Sequence, residues 1–319
     1  MRNANLPVVS IIVETSNWHP KHQIQLWDTL RALEGQSYPR DRLEILVVLD
    51  IAHHSDETQI VGSYPWVHTV LAPAGLTYYE LKNFGASRAS GDILAMTDAD
   101  CVPCPVWVEE LVRSFAEAGP RPAAVQGRTR FLDRPLARAW EASWWSRSFE
   151  EEGPIDRLYT SNNVAFRREV YADHHFLPGS PLRTGLERLL TRQLVKAGFG
   201  LWLNPRMVVH HNYSPTVREI SQQGLVRGYY FMTLRRTYPQ GLDYVVKKLG
   251  LLAPVICSPL LLIKDIVRIF RKAPKMGIRG RELLKLPLYM SLQVPYNLVV
   301  LIGMYWAIFA PDRVPRRPL

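Results

Sequence analysis

The chain reads as an α/β protein: a mostly parallel sheet flanked by helices, followed by a C-terminal helical region of membrane character. Three observations predict this. Apolar runs of strand length alternate with stretches of helical spacing through the first third of the sequence. Several of those runs stop abruptly at a carboxylate. The last third then changes character, with long uncharged segments separated by a basic one. Strand–helix–strand alternation implies right-handed crossovers and therefore parallel pairing.

Val8–Val13 (VVSIIV) is a continuous, largely β-branched run, the pattern of a strand covered on both faces, and it ends at Glu14. Ile24, Trp27, Leu30 and Leu33 follow at helical steps, with Gly35 closing the helix. Leu43–Leu49 is a second buried strand ending in Asp50, and Ser55 or Asp56 can cap a short helix after it. Val67–Leu71 is a third strand. A short helix from Lys82, a turn at Gly91 and the strand Ile93–Thr97 then lead to Asp98 and Asp100, a D-x-D pair.

Parallel strands bring their carboxyl ends to one edge, where ligands of open α/β sheets bind. Glu14, Asp50, Asp98 and Asp100 are therefore expected around one crevice. Like charges gathered there need a cation or a hydrogen-bonding ligand. A D-x-D at a strand end suits a hard divalent ion, Mg²⁺ or Mn²⁺, which takes one or two protein carboxylates and shares the rest of its shell with a diphosphate. The alternative for such a pair is a solvated turn. Lys82 and Arg88 are placed to offer positive charge to a phosphate, or to lie on an amphipathic surface.

Taken together, VVSIIVETSN, EILVVLD with HSDET, and LKNFGASRASGDILAMTDADC resemble the nucleotide-binding half of a glycosyltransferase family 2 enzyme of GT-A (Rossmann-like) fold. Departures are visible. Glu14-Thr15-Ser16-Asn17 stands for the family's P-T-x-N turn, and Leu81-Lys82-Asn83-Phe84-Gly85 for its A-R-N-x-G helix. The resemblance implies that Glu14 and Asp50 line the nucleoside pocket, with Lys82 and Asn83 beside it. It implies that Asp98 and Asp100 hold the ribose and the metal-bound diphosphate. Ser161 to Arg168 (SNNVAFRR) resembles the family's G-x-N-x-A-F-R-R segment, which places Asn163 at the donor sugar.

The family's general base belongs to an E-D-x-x-L-x-x-R helix. Here Gly185-Leu186 replaces that pair, while Leu189 and Arg192 fit. Glu187, one place later at a helix start, is the expected base, its charge favoured by the helix dipole; otherwise it is a helix-surface glutamate. Of His210-His211, at the end of a strand from Leu201, His210 is expected to complete the metal site, as a histidine does in related GT-A enzymes. Arg218–Arg236 resembles a helix that lies across the active-site mouth, although Gln223 and Arg227 are spaced one residue too far apart for the Q-x-x-R-W of processive synthases. Cys101 and Cys104 have no second pair at zinc spacing and read as packing residues. Trp144 and Trp145 are acceptor-contact candidates or interface residues.

The formal charge is +10, and its distribution is uneven: from Asn212 onward there are 17 Lys and Arg against 5 acids. A near-neutral head followed by a basic tail suggests a membrane-proximal anchor. Leu286–Pro311 runs 26 residues without a charge, where about 20 suffice to span a bilayer. Leu249–Ile263 has only 15. The segment between them carries eight basic residues, which the positive-inside tendency keeps on the cytoplasmic side. The expected organisation is a GT-A domain over 1–235 and membrane-associated helices over 236–319, with 249–263 interfacial or re-entrant on anionic headgroups and 286–310 transmembrane. The odd cysteine count, 3, points to a reducing compartment. The apolar run at the start is too short for a signal peptide or span. Basic residues interleaved with apolar runs argue against a nucleic-acid partner.

The implied activity is transfer of a sugar from a nucleotide-diphosphate sugar to a hydroxyl of a glycan or lipid-linked acceptor, with inversion, at the cytoplasmic face of the cell membrane. The alternative is a non-catalytic, membrane-bound nucleotide-sugar-binding module, which the replaced E-D pair favours.

Overall fold

The computed structural model of the chain describes residues 6–16, 23–51, 54–119, 121–131, 141–142, 148–180, 182, 184–212 and 216–314, with backbone alone at 23–25 and 54–58. Asn17, Trp144 and Trp145 lie outside the described residues, as do the side chains of Ser55, Asp56 and Thr58. Packing divides the chain into a sheet unit, residues 1–130 and 150–212, and a helical unit, residues 131–149 and 213–319. By this division the helix at 217–237 groups with the tail, whereas the sequence reading drew its domain limit at 235.

The sheet unit runs β1 (Val9–Glu14), α1 (Gln23–Glu34), β2 (Leu43–Asp50), α2 (His54–Ser63), β3 (His68–Ala72), α3 (Tyr78–Arg88), β4 (Ile93–Asp98), β5 (Cys101–Pro103), α4 (Trp107–Glu117), β6 (Pro122–Phe131), β7 (Gly153–Pro154), β8 (Asn163–Arg167), α5 (Arg168–Asp173), α6 (Leu186–Lys196) and β9 (Gly200–His211). The strand order is β3-β2-β1-β4-β8-β6-β9-β5, with β7 on β9. Three pairings, β1 with β2, β1 with β4 and β2 with β3, are parallel, as the alternating pattern requires. Beyond β4 the sheet becomes mixed, because β8 runs antiparallel to both β4 and β6.

Strand alternation explains why β1 and β2 read as unbroken apolar runs. Val9, Ile11 and Val13 join Leu26, Leu30 and Leu33 of α1 and Trp107, Val108 and Leu111 of α4 in one core. Ile12 and Val48 face the other way, against Gly85 of α3. Residues that share a parity share a face. Glu14 follows Ile12 by two and Asp50 follows Val48 by two, so both carboxylates lie on the α3 side of the sheet, at its carboxyl edge. Glu14 is also the direct register partner of Asp98.

The helical unit contains α7 (Val217–Thr237), α8 (Asp243–Leu249), α9 (Ala253–Lys272), α10 (Leu286–Ser291) and α11 (Gln293–Phe309). A reciprocal capping box between Thr216 and Glu219 opens α7. Helices α7 and α11 meet backbone to backbone: a Cβ on Gly228 would stand 1.9 Å from the Val300 carbonyl oxygen, and one on Gly303 2.2 Å from that of Leu225. Glycines at such a crossing let two helices approach more closely than any side chain allows. From Ala253 on, the expected short segment at 249–263 belongs to the longer helix α9, 20 residues, or about 30 Å at 1.5 Å per residue. It continues into charged sequence because Asp265 is buried between Arg227, at 2.9 Å, and Arg268, at 2.7 Å. Two helical stretches, Asp243–Lys272 and Gly280–Phe309, are long and apolar enough to cross a bilayer.

Candidate active site

The carboxyl edge of the parallel strands carries a cluster of buried polar groups. Its centre is Asp98, 4% exposed, which accepts a hydrogen bond from Lys82 Nζ at 2.7 Å and one from the Tyr78 hydroxyl at 3.0 Å. Lys82 is fully buried, and its ammonium lies 4.6 Å from the centroid of the Tyr78 ring. An ion pair this deep is stable only with such additional hydrogen bonds around it. One strand over, Glu14 has one carboxylate oxygen held by the Ser16 N–H, while the other is buried without a hydrogen-bond partner. Burial, reinforced by the neighbouring Asp98 charge, pushes the Glu14 carboxyl up to about 8. Of the two adjacent acids, Asp98 is the one paired with Lys82, and Glu14 carries a proton at neutral pH.

The turn after β4 is fixed by backbone. The Ala99 N–H donates to the Glu14 carbonyl at 2.9 Å, and the Thr29 hydroxyl bridges the carbonyls of Ala99 and Cys101 at 2.8 and 3.0 Å. This delivers Asp100 to the rim. Pairing of β5 with β9 sets Cys101 opposite His211, so His211 Nε2 lies 3.7 Å from Asp100 Oδ2. A ligand atom from each of Asp100, Cys101 and His211 lies within 4.8 Å of the other two. Burial raises the Asp100 carboxyl, with His211 opposing the shift and Asp98 adding to it. Burial pushes the Cys101 thiol well up, which leaves it protonated and unsuited to a hard cation. The remaining donors, one carboxylate and one imidazole, fit Mn²⁺ or Mg²⁺ with positions left for ligand oxygens.

Across the cluster, the N-cap Gly185 adopts φ 85°, a left-handed conformation that suits glycine, and opens α6 with Glu187 in its first turn. The Tyr79 hydroxyl lies 2.9 Å from both Glu187 carboxylate oxygens and accepts the Gly185 N–H at 3.1 Å, so one side chain holds both the acid and the start of its helix. Ser161 Oγ lies 2.9 Å from Glu187 Oε1 and 3.0 Å from the Tyr78 hydroxyl. Glu187 and Asp98 are thus joined through Ser161 and Tyr78.

Glu14, Asp98, Asp100 and Glu187 come together as expected, and Asp50 stands at the same edge, where it accepts the Gly75 N–H at 3.1 Å. Five of the expected site residues are engaged otherwise in the structure. Lys82 faces inward to Asp98 and offers no charge to a phosphate, because helix α3 lays that side of itself on the sheet. Asn83 is committed to the loop after α5, donating to the Phe176 carbonyl at 2.7 Å and accepting from the Tyr171 hydroxyl at 2.7 Å. Asn163 is wholly buried; it accepts from Trp107 Nε1 at 2.9 Å and donates to the carbonyls of Arg128 and Met207 at 3.0 Å. His210 is exposed and, by strand alternation, points away from the side that His211 presents to Asp100. Asp98, tied to Lys82 and Tyr78, lies outside the Asp100–Cys101–His211 group. Tyr78, Tyr79 and Ser161 were missed. The Thr77-x-x-Glu80 capping box, which the structure forms in full, signals a helix start that puts both tyrosines in the first turn at the rim.

A sheet whose parallel half ends in acids and is continued by an antiparallel strand is the architecture of the GT-A class. A mannosyltransferase from Pyrobaculum calidifontis, solved in complex with GDP-Man and Mn²⁺, shares the fold with a TM-score of 0.56 at 16% identity, over 98% of this chain and 89% of that one. The chain belongs to Glycosyl transferase family 2, whose family model matches residues 10–174. Similar curated proteins are glycosyltransferase AglE of Haloferax volcanii, 29% identical over 62% of this chain, and the probable glycosyltransferase YdaM of Bacillus subtilis, 29% identical over 40%. A glucosyl-dolichyl phosphate glucuronosyltransferase of H. volcanii is 25% identical over 46% of the chain. These matches span 64%, 31% and 49% of the relatives' own lengths.

Proposed function

We propose that the chain transfers a sugar from a nucleotide-diphosphate sugar to a hydroxyl acceptor, with inversion, at the cytoplasmic face of a membrane. The observation that carries this reading is Asp100 beside His211 at the edge where Glu187 is fixed by Tyr79 and Ser161. Asp100 and His211 would hold a divalent cation, which when bound neutralises charge developing on a leaving diphosphate. Asp50 supplies a rim carboxylate for the nucleoside. Glu187 takes the proton of the attacking hydroxyl. The Mn²⁺ and GDP-Man of the mannosyltransferase complex support a nucleotide-sugar donor, and the dolichyl-phosphate relative supports a lipid-linked acceptor.

The transferase part is assigned to 1–235 and the membrane-associated part to 236–319. Support for the membrane comes from the two long apolar stretches and from a stripe of exposed side chains along α9: Ile256, Leu260, Ile263, Val267 and Phe270. Such a stripe suits a helix lying in the interface with one face covered by protein.

The test is release of nucleotide by the purified full chain with Mn²⁺ against a panel of nucleotide sugars. One donor should be turned over, and Asp100→Asn and Glu187→Gln should each lower the rate by about 10²-fold or more. A chain that binds a nucleotide sugar but releases nothing, and binds it equally well as Glu187→Gln, is the non-catalytic module instead.

A further inference from the structure

Both long apolar helices of the helical unit carry a row of exposed side chains. On α9, Ile263 and Val267 each lie two residues, about 200° around the helix, from Asp265, which faces Arg227 of α7. On α11, Leu298 and Ile302 lie at the same angle from Val300, whose carbonyl stands against Gly228 of α7. Both rows therefore point away from α7. The helices run antiparallel side by side, because Ser258 bonds to Asn297 and the Tyr305 hydroxyl donates to the Leu251 carbonyl at 3.3 Å. The two rows thus make one apolar surface, and the charges around it limit how deep it can go. Along α11, the Arg227 guanidinium lies 5.8 Å from the centroid of the Tyr296 ring, and Arg236, an exposed residue, reaches the Ala307 carbonyl at 3.3 Å. Tyr296 and Ala307 are eleven residues apart, or about 16 Å of helix. A hydrocarbon core is about 30 Å thick, so a perpendicular crossing would draw charge into it, where charge is strongly disfavoured. Helix α9 is no better suited, since it is uncharged only from Ala253 to Ile263. Its exposed Lys264 and Arg271 sit two turns apart along one edge of the row, where long cationic side chains of a helix lying flat meet lipid phosphates.

We propose that the helical unit is monotopic: α9 and α11 lie flat in one leaflet, with their apolar rows among acyl chains and Lys264 and Arg271 at the lipid phosphates, and neither helix crosses the bilayer. The inference rests on the reading of this unit as membrane-associated, and it replaces the transmembrane segment expected at 286–310.

The experiment labels the full chain, in sealed membrane vesicles from cells that express it, with an impermeant maleimide–polyethylene glycol that adds a gel shift for each cysteine reached. The unsubstituted chain corrects for the native Cys101, Cys104 and Cys257, of which Cys101 and Cys257 are buried. Val195→Cys, exposed in the sheet unit, marks the side on which that unit lies. Tyr244→Cys precedes α9, Arg281→Cys lies between α9 and α10, and Asp312→Cys follows α11, all at exposed positions. In the monotopic arrangement all three react to the same extent as Val195→Cys before the vesicles are lysed. A crossing by α11 would separate Arg281→Cys from Asp312→Cys, and a crossing by α9 would separate Tyr244→Cys from Arg281→Cys. Any position reached only after lysis overturns the proposal. Should Arg281→Cys fail to accumulate, Lys275→Cys, also exposed, reports on the same connection. The two ideas fail differently. A chain left in solution when the vesicles are pelleted removes the membrane reading and the proposal with it, and if that chain sediments as a dimer the apolar rows belong to a second copy. A chain that pellets with one position protected removes only the single-leaflet placement.

Discussion

The two units bury polar groups alike and treat apolar ones differently. Each encloses an ion pair, Lys82 with Asp98 in the sheet unit and Arg227 with Asp265 in the helical unit. In the sheet unit the large hydrophobics are inside, and its exposed ones are scattered singly as Ile51, Val61, Val106 and Val195. In the helical unit they line up on the surface, along α9 and again along α11 at Val294, Leu298, Ile302 and Phe309. Scattered exposed apolar residues are ordinary, whereas a contiguous array marks a surface made for something other than water. The sheet unit is folded by excluding water from its core. The helical unit is closed by glycines and a buried charge cluster, with rows of apolar side chains left on its surface.

The comparison breaks most sharply at the buried charges. Lys82→Met leaves Asp98 buried beside Glu14 with no cation, a change that costs about 3–5 kcal/mol. Arg227→Met leaves Asp265 still paired with Arg268 at 2.7 Å, so its loss should be clearly smaller. Urea midpoints of the two variants in the same detergent rank them; equal losses would mean that Arg268 does not compensate. Next in size is Gly228→Ala. Its methyl would meet the Val300 carbonyl at 1.9 Å, and a backbone atom cannot rotate aside, so α7 and α11 must separate at a cost of about 1–3 kcal/mol. Limited proteolysis should then open the helical unit while the sheet unit stays protected.

A pH test addresses the sheet unit alone. The folded Glu14 carboxyl titrates near 8, against an unfolded value of 4.5, so between those limits the folded state holds a proton that the unfolded state has released. Stability from this group is complete below the unfolded value and declines as pH rises through the folded one. Metal-free protein should therefore be less stable at pH 8.5 than at pH 6. Glu14→Gln, which mimics the protonated acid, should flatten that slope. An unchanged slope in the variant would assign the pH dependence elsewhere.

Much of the sheet unit was legible because strand pattern and strand end coincide. Apolar runs gave β1, β2 and β4 nearly to the residue, and parallel pairing then forced Glu14, Asp50 and Asp98 to one edge. Side-chain direction was the part that was hidden. Two adjacent histidines on one strand face opposite sides, and nothing local says which meets Asp100; that depends on the pairing of β9 with β5. Lys82 on a short helix reads as a surface charge until the helix is docked. Asn163 looks like a ligand residue because its three partners, Trp107, Arg128 and Met207, are distant in sequence. In the tail, Gly224-x-x-x-Gly228 was the overlooked signal, since small residues four apart mark a close helix crossing.

The smallest expected effect on stability is also the sharpest statement about the helical unit's surroundings. Leu260 is 60% exposed on the α9 stripe. An exposed side chain contributes little to folding in a solubilised protein, so Leu260→Glu should change the unfolding midpoint by no more than about 0.5 kcal/mol. If that stripe rests among acyl chains, the same substitution removes an apolar contact and places a charge there, at about 2 kcal/mol or more. Sedimentation with anionic vesicles should then weaken roughly tenfold or more, while Val195→Glu, on an exposed position of the sheet unit, leaves it unchanged. Equal loss from both substitutions would reduce the contrast between the units to net charge, because each adds the same negative charge to a basic chain. Undiminished binding by Leu260→Glu would remove the stripe from the membrane altogether.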